Sequence, residues 1–121
     1  MAIRHVAWLA AAGLMLTGCV VPNMDSSNYT SVPYVQLFQK KGQHGHTNRS
    51  QRTQDLYDCG VPANVNPDSP RWHRVGVREG ETVNQAIARA HKLEQCMRDK
   101  GYDTLEFSEC GPLKAPTGQC N

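Results

Sequence analysis

Large apolar side chains are scarce in this chain. From Cys19 to Asn121 there are nine Val, five Leu, two Phe and a single Ile, 17 of 103 positions. A core drawn from so few groups is thin, and such a supply borders on disorder when net charge is high. Net charge is low here: Arg4 is the only charged residue before Cys19, so the 13 Lys and Arg become 12 against 11 Asp and Glu. One small, partly ordered domain is therefore expected, and no global field favours nucleic acid. Long apolar runs are missing as well. Val6 to Leu16 covers eleven residues, whereas a bilayer-spanning helix needs about 20. Catalytic signatures are equally absent: there is no Gly-rich phosphate loop, no Gly-x-Ser-x-Gly, no Cys-x-x-Cys and no His-Glu-x-x-His. No residue is put forward as catalytic or as a metal ligand, and no cofactor is implied.

What is present begins at the N-terminus. Arg4 precedes the apolar run, and small residues then lead to a cysteine. A basic start, a short apolar stretch and a small-residue cleavage site make an export signal. Leu16-Thr17-Gly18-Cys19 resembles the lipobox of bacterial lipoproteins. The resemblance implies cleavage before Cys19, lipid on its sulfur and acylation of the new N-terminus, giving a signal peptide over 1–18. Val20, rather than Asp, follows the cysteine, which by resemblance to the sorting of Gram-negative lipoproteins implies the outer membrane; the domain is expected to face the periplasm. Cysteine arithmetic agrees. Of Cys19, Cys59, Cys96, Cys110 and Cys120, lipidation removes the odd one and leaves four for two disulfides. Small exported domains with thin cores commonly depend on such bridges.

Residues 19–48 read as a flexible tether. VVPNMDSSNYTSVPY mixes polar residues with isolated apolar ones, and QKKGQHGHTNRSQR is polar with two glycines. Tyr34 to Phe38 is an apolar island, an edge strand or a helical turn that docks on the domain. Lys40, Lys41, Arg49 and Arg52 lie in an acid-free stretch, suited to anionic lipid headgroups or simply to solvent. His44-Gly45-His46 offers two histidines, an incomplete metal site.

The domain is expected over 49–121, as a small mainly α fold with short extended segments, its short and long helices stapled by disulfides. Ser50 to Cys59 reads as the short helix, capped by Ser50 and ended by Gly60. Pro62, Pro67 and Pro70 make the following stretch a loop, and Arg71 to Val77 reads as extended, with Trp72 the lid of a small core or part of a binding patch. Thr82-Val83-Asn84-Gln85 fits a capping box. Val83, Ala86, Ile87, Ala90, Leu93 and Met97 then form one stripe at helical spacing, predicting a helix from Val83 to Lys100. Asp103 to Phe107 reads as a short strand, and Cys110 to Cys120 encloses a Gly- and Pro-rich loop.

Four cysteines allow three pairings, and loop entropy does not separate them. Geometry favours Cys59–Cys96 with Cys110–Cys120. Leu56 and Cys59 share a face of one helix, and Leu93 and Cys96 repeat the spacing on the other, so leucine on leucine brings the sulfurs together. Tyr57-Asp58-Cys59 followed by Cys96 to Tyr102 (CMRDKGY) also resembles small cysteine-containing envelope lipoproteins, and that resemblance implies the same Cys59–Cys96 pairing.

Chemistry elsewhere is weak. His91 and Cys96 fall on different faces of one helix, and Asp99, Asp103, Glu106 and Glu109 are interleaved with Arg98 and Lys100, as on a solvated surface. The expected function is a non-enzymatic interaction or accessory subunit of an envelope assembly. Its partners would be the membrane, through the Cys19 anchor, and an envelope protein. An exclusion or inhibitor lipoprotein, or a small envelope enzyme, is the alternative.

Overall fold

The computed structural model describes residues Thr30 to Asn121; the signal peptide, Cys19 and the first part of the expected tether lie outside the described residues. A 3-10 turn, Tyr34–Leu37, runs into strand β1, Phe38–Lys40. Helix α1, Arg49–Asp58, and helix α2, Val83–Asp99, follow, then strand β2, Tyr102–Thr104, and the short helix α3, Phe107–Cys110. β1 and β2 pair antiparallel, Phe38 opposite Thr104 and Lys40 opposite Tyr102. The pairing is prolonged by Leu105 N–H to the Leu37 carbonyl at 2.8 Å. Helix makes up 38% of the described chain, so the small domain of three helices, a two-stranded sheet and connecting turns matches the expected mainly α fold only in part.

The tether boundary at residue 48 is corrected. Val32, Tyr34, Val35, Leu37 and Phe38 are buried core residues, in one cluster with Leu56, Val61, Met97, Tyr102, Leu105 and Cys110. The apolar island is both a turn and a strand, and it supplies nearly half of that core. The polar stretch after it resembles a linker only in composition. Gln39 and Thr47 are buried, and their hydrogen bonds are made inside the protein. Thr47 Oγ1 donates to Gln39 Oε1 at 2.7 Å, and Lys40 N–H donates to Thr47 Oγ1 at 2.9 Å. Satisfied polar groups of this kind bury without the penalty that drives them to solvent.

α1 starts two residues earlier than its sequence suggests. Asn48, not Ser50, is the cap, its side chain accepting from Gln51 N–H at 3.0 Å. The C-terminus closes as a Schellman motif. Val61 N–H reaches the Leu56 carbonyl at 3.1 Å and Gly60 N–H the Tyr57 carbonyl at 3.0 Å. Gly60 sits at φ +107, a conformation that costs glycine little. The accompanying apolar contact is between Leu56 and Val61, both in the core.

α2 begins at the expected capping box. Gln85 N–H donates to Thr82 Oγ1 at 3.1 Å, and Thr82 N–H to Gln85 Oε1 at 2.8 Å. Its buried face is shifted from the predicted stripe. Ala86, Ala90, Glu94 and Met97 are buried, Leu93 is half-buried, and Val83 and Ile87 are exposed at 58% and 37%. The buried face runs the length of the helix through Ala86, Ala90, Glu94 and Met97, and Val83 and Ile87 lie off it. Arg71 to Val77 forms turns rather than an extended segment. Phe107 does not continue β2. Glu106 and Glu109 form a second capping box that starts α3 there.

Candidate functional site

Of the site residues expected from sequence, Cys19 is outside the described residues, and the other four cysteines stand in two pairs at disulfide distance. Cys59 joins Cys96 with Cα atoms 5.7 Å apart, and Cys110 joins Cys120 with Cα atoms 5.3 Å apart. The first bridge ties the end of α1 to α2, beside Leu56 and Leu93 in the same apolar cluster. The second closes a ring that turns back on itself, with Thr117 N–H on the Cys110 carbonyl at 3.0 Å. Cys96 is thus a bridged sulfur, and His91 is exposed on the helix surface.

Two buried polar centres organise the domain, and sequence reasoning found neither. In the first, Arg52 is almost fully buried at 1% exposure. It donates to the Phe38 carbonyl at 3.0 Å and to the main-chain oxygen of Asn121 at 2.7 Å. Asn121 also grips Thr47, accepting from its N–H at 3.0 Å and donating to its carbonyl at 2.9 Å. Gln39 Nε2 donates to the same Asn121 oxygen at 3.1 Å. Burial pulls the Arg52 guanidinium below its ordinary value, and Asp68 offsets part of that. Next to this centre, Tyr102 donates to Asp55 Oδ2 at 2.6 Å. Burial first, then Asp55, raises its phenol.

The second centre is Glu94, 4% exposed on α2. It takes a bidentate pair from Arg74, at 2.7 and 3.1 Å, and a hydrogen bond from the Tyr34 hydroxyl at 3.0 Å. Tyr34 is framed by aromatic rings, with Phe38 edge-on at 5.2 Å and Trp72 tilted at 4.7 Å. Trp72 is therefore a half-buried lid, as the core reading held. Burial and then the Glu94 charge push the Tyr34 phenol far up. Fork-shaped pairing of this type is directional and strong when one partner is desolvated. The only sequence signal for it is a carboxylate on the inner face of an amphipathic helix, one residue after Leu93.

The remaining titratable clusters lie at the surface. Asp103 receives Lys41 at 2.7 Å and His44 at 2.8 Å; Lys41 and then His44 hold its carboxyl below the ordinary range. This spreads the expected acidic cluster into a local ion pair, with His46 exposed and apart. Among the described residues no group of three His, Cys, Asp or Glu is placed to hold a metal ion, and no described helix is long and apolar enough to cross a membrane. At the start of α2, Glu81 receives Arg89 through two bonds at 2.8 and 3.0 Å, and Arg89 also donates to the Gly76 carbonyl.

The chain matches no protein-family model, no curated protein and no solved structure.

Proposed function

We propose that the chain is an outer-membrane lipoprotein, anchored through Cys19, that serves as a non-enzymatic interaction or accessory subunit of an envelope assembly. The anchoring part rests on Leu16-Thr17-Gly18-Cys19. One observation carries the interaction part. Val75, Val77, Val83 and Ile87 are exposed, in a chain with few large aliphatic residues to spare. Val83 and Ile87 are one turn apart on α2 and share a face. Val75 and Val77 are separate from that pair: they flank Gly76, which Arg89 holds against another side of α2. An exposed apolar pair on one helix face, in a chain this poor in such side chains, is a surface that another molecule would cover. A photocrosslinking residue placed at Val83 in intact cells, with adducts identified by mass spectrometry, tests this reading. A discrete envelope-protein adduct that disappears in Ile87→Asp supports it. Adducts only with abundant bystanders, unchanged by Ile87→Asp, argue against it.

A further inference from the structure

A pocket of about 210 Å³ opens between the end of α1, the loop beyond it and the side of α2. Its lining divides by chemistry. Trp72, Leu93 and Val61 form an apolar wall, and Arg78, Arg89 and Lys92 a cationic rim; no acid lines it. Concave sites of this composition, apolar with a few convergent polar groups, are the usual form of a small-molecule site.

The site is held in shape from two sides. The Cys59–Cys96 bridge fixes the end of α1 to α2 at the pocket, and Cys59 is itself part of the wall. On the other side, the Arg89–Glu81 fork and the bond from Arg89 to the Gly76 carbonyl clamp the 76–81 loop onto α2. That loop carries Arg78. Arg89 hydrogen bonds, then the Arg78 backbone, keep the Glu81 carboxyl down at about 2, so Glu81 is ionised at neutral pH and neutralises Arg89. Arg78 and Lys92 have no ion pair among the described residues. Glu81 acts on Arg78 as well, so three cations face one carboxylate and the rim keeps a net positive charge beside an aromatic wall, on a domain whose overall charge is nearly balanced.

We propose that this pocket binds a small organic anion with an aromatic body, an aryl carboxylate, sulfonate or phosphate, its ring against Trp72 and Leu93 and its anionic group toward Arg78 and Lys92. Ring contact supplies apolar burial, and the net positive rim supplies the selectivity for charge. The inference is independent of the membrane anchor.

Calorimetric titration of the full chain in maltoside micelles tests it, with 2-naphthalenesulfonate and its neutral analogue 2-naphthalenesulfonamide as probes and empty micelles as the blank. The sulfonate is expected to bind saturably, one per chain, and about tenfold tighter than the sulfonamide. The double variant Arg78→Ala, Lys92→Ala should weaken the sulfonate about tenfold and leave the sulfonamide unchanged. Both side chains are exposed, so the thermal melt should match that of the parent protein. Equal affinity for the two probes, no saturable binding of either, or a double variant that still binds the sulfonate as tightly as the parent would each overturn the proposal.

Discussion

The Tyr34 hydroxyl donates to Glu94 Oε1 at 3.0 Å across 60 residues of sequence, joining the turn before β1 to the middle of α2. Arg74 completes the carboxylate from the loop between the helices. Glu94→Ala removes the common acceptor and leaves a buried phenol without its partner. It should cost about 2–3 kcal/mol, and Tyr34→Phe, which keeps the ring contacts and loses one hydrogen bond, about 1 kcal/mol. Urea unfolding followed by circular dichroism measures both, and equal losses would show that the pair does not act through the shared carboxylate.

Alkali should unfold the domain through its two raised phenols. Tyr34 and Tyr102 both have phenols raised above the ordinary value of 10.0. A group raised in the folded state contributes stability that is complete below its unfolded value and fades as pH rises past it. Stability should therefore fall above about pH 10, and phenolate absorbance from these two tyrosines should appear only together with loss of helical signal. Titration of either at its ordinary value in folded protein would contradict the burial argument.

The two disulfides should differ in effect. In the chain-entropy model the Cys59–Cys96 loop is worth about 4 kcal/mol and the Cys110–Cys120 ring about 3 kcal/mol. Removing the first bridge by Cys59→Ala with Cys96→Ala should unfold a domain with so thin a core. Opening the second should loosen the ring, and because Asn121 follows Cys120 it should also free Arg52, Gln39 and Thr47 from their shared partner. Amide exchange of Thr47 N–H reports this, accelerating when Cys110 and Cys120 are replaced.

Gly45 meets the ring at its closest approach. It has φ +81, and a Cβ there would collide with the Gly118 main-chain oxygen. Gly45→Ala combines that collision with a left-handed backbone and should cost about 2 kcal/mol or more. Gly42 has a similar φ but open space around it, so Gly42→Ala should cost about 1 kcal/mol. The difference in urea midpoint between the two variants isolates the collision.

Local hydrogen bonding made part of this fold legible. The Thr82–Gln85 box and Gly60 use short-range chemistry that the sequence displays directly, and α2 ends one residue from its expected limit. The Cys59–Cys96 pairing was legible too, because Leu56 and Leu93 repeat one helical spacing. The burial of Gln39, Thr47, Arg52 and Glu94 was not. Each is bonded to a partner far away in sequence, and a polar residue destined for such a partner is locally indistinguishable from one destined for solvent. The same blindness made residues 30–48 read as a tether and hid the Arg78, Arg89 and Lys92 rim, which one loop and one helix bring together.

Mass spectrometry of the protein isolated from the cell envelope, digested without reduction, tests the central claim most directly. An N-terminal peptide beginning at Cys19 and carrying three acyl chains, together with linked peptides Cys59–Cys96 and Cys110–Cys120, is the expected result. An unprocessed Met1 N-terminus with unmodified Cys19, or four free thiols in the domain, would contradict the account of a lipid-anchored, disulfide-stapled envelope module.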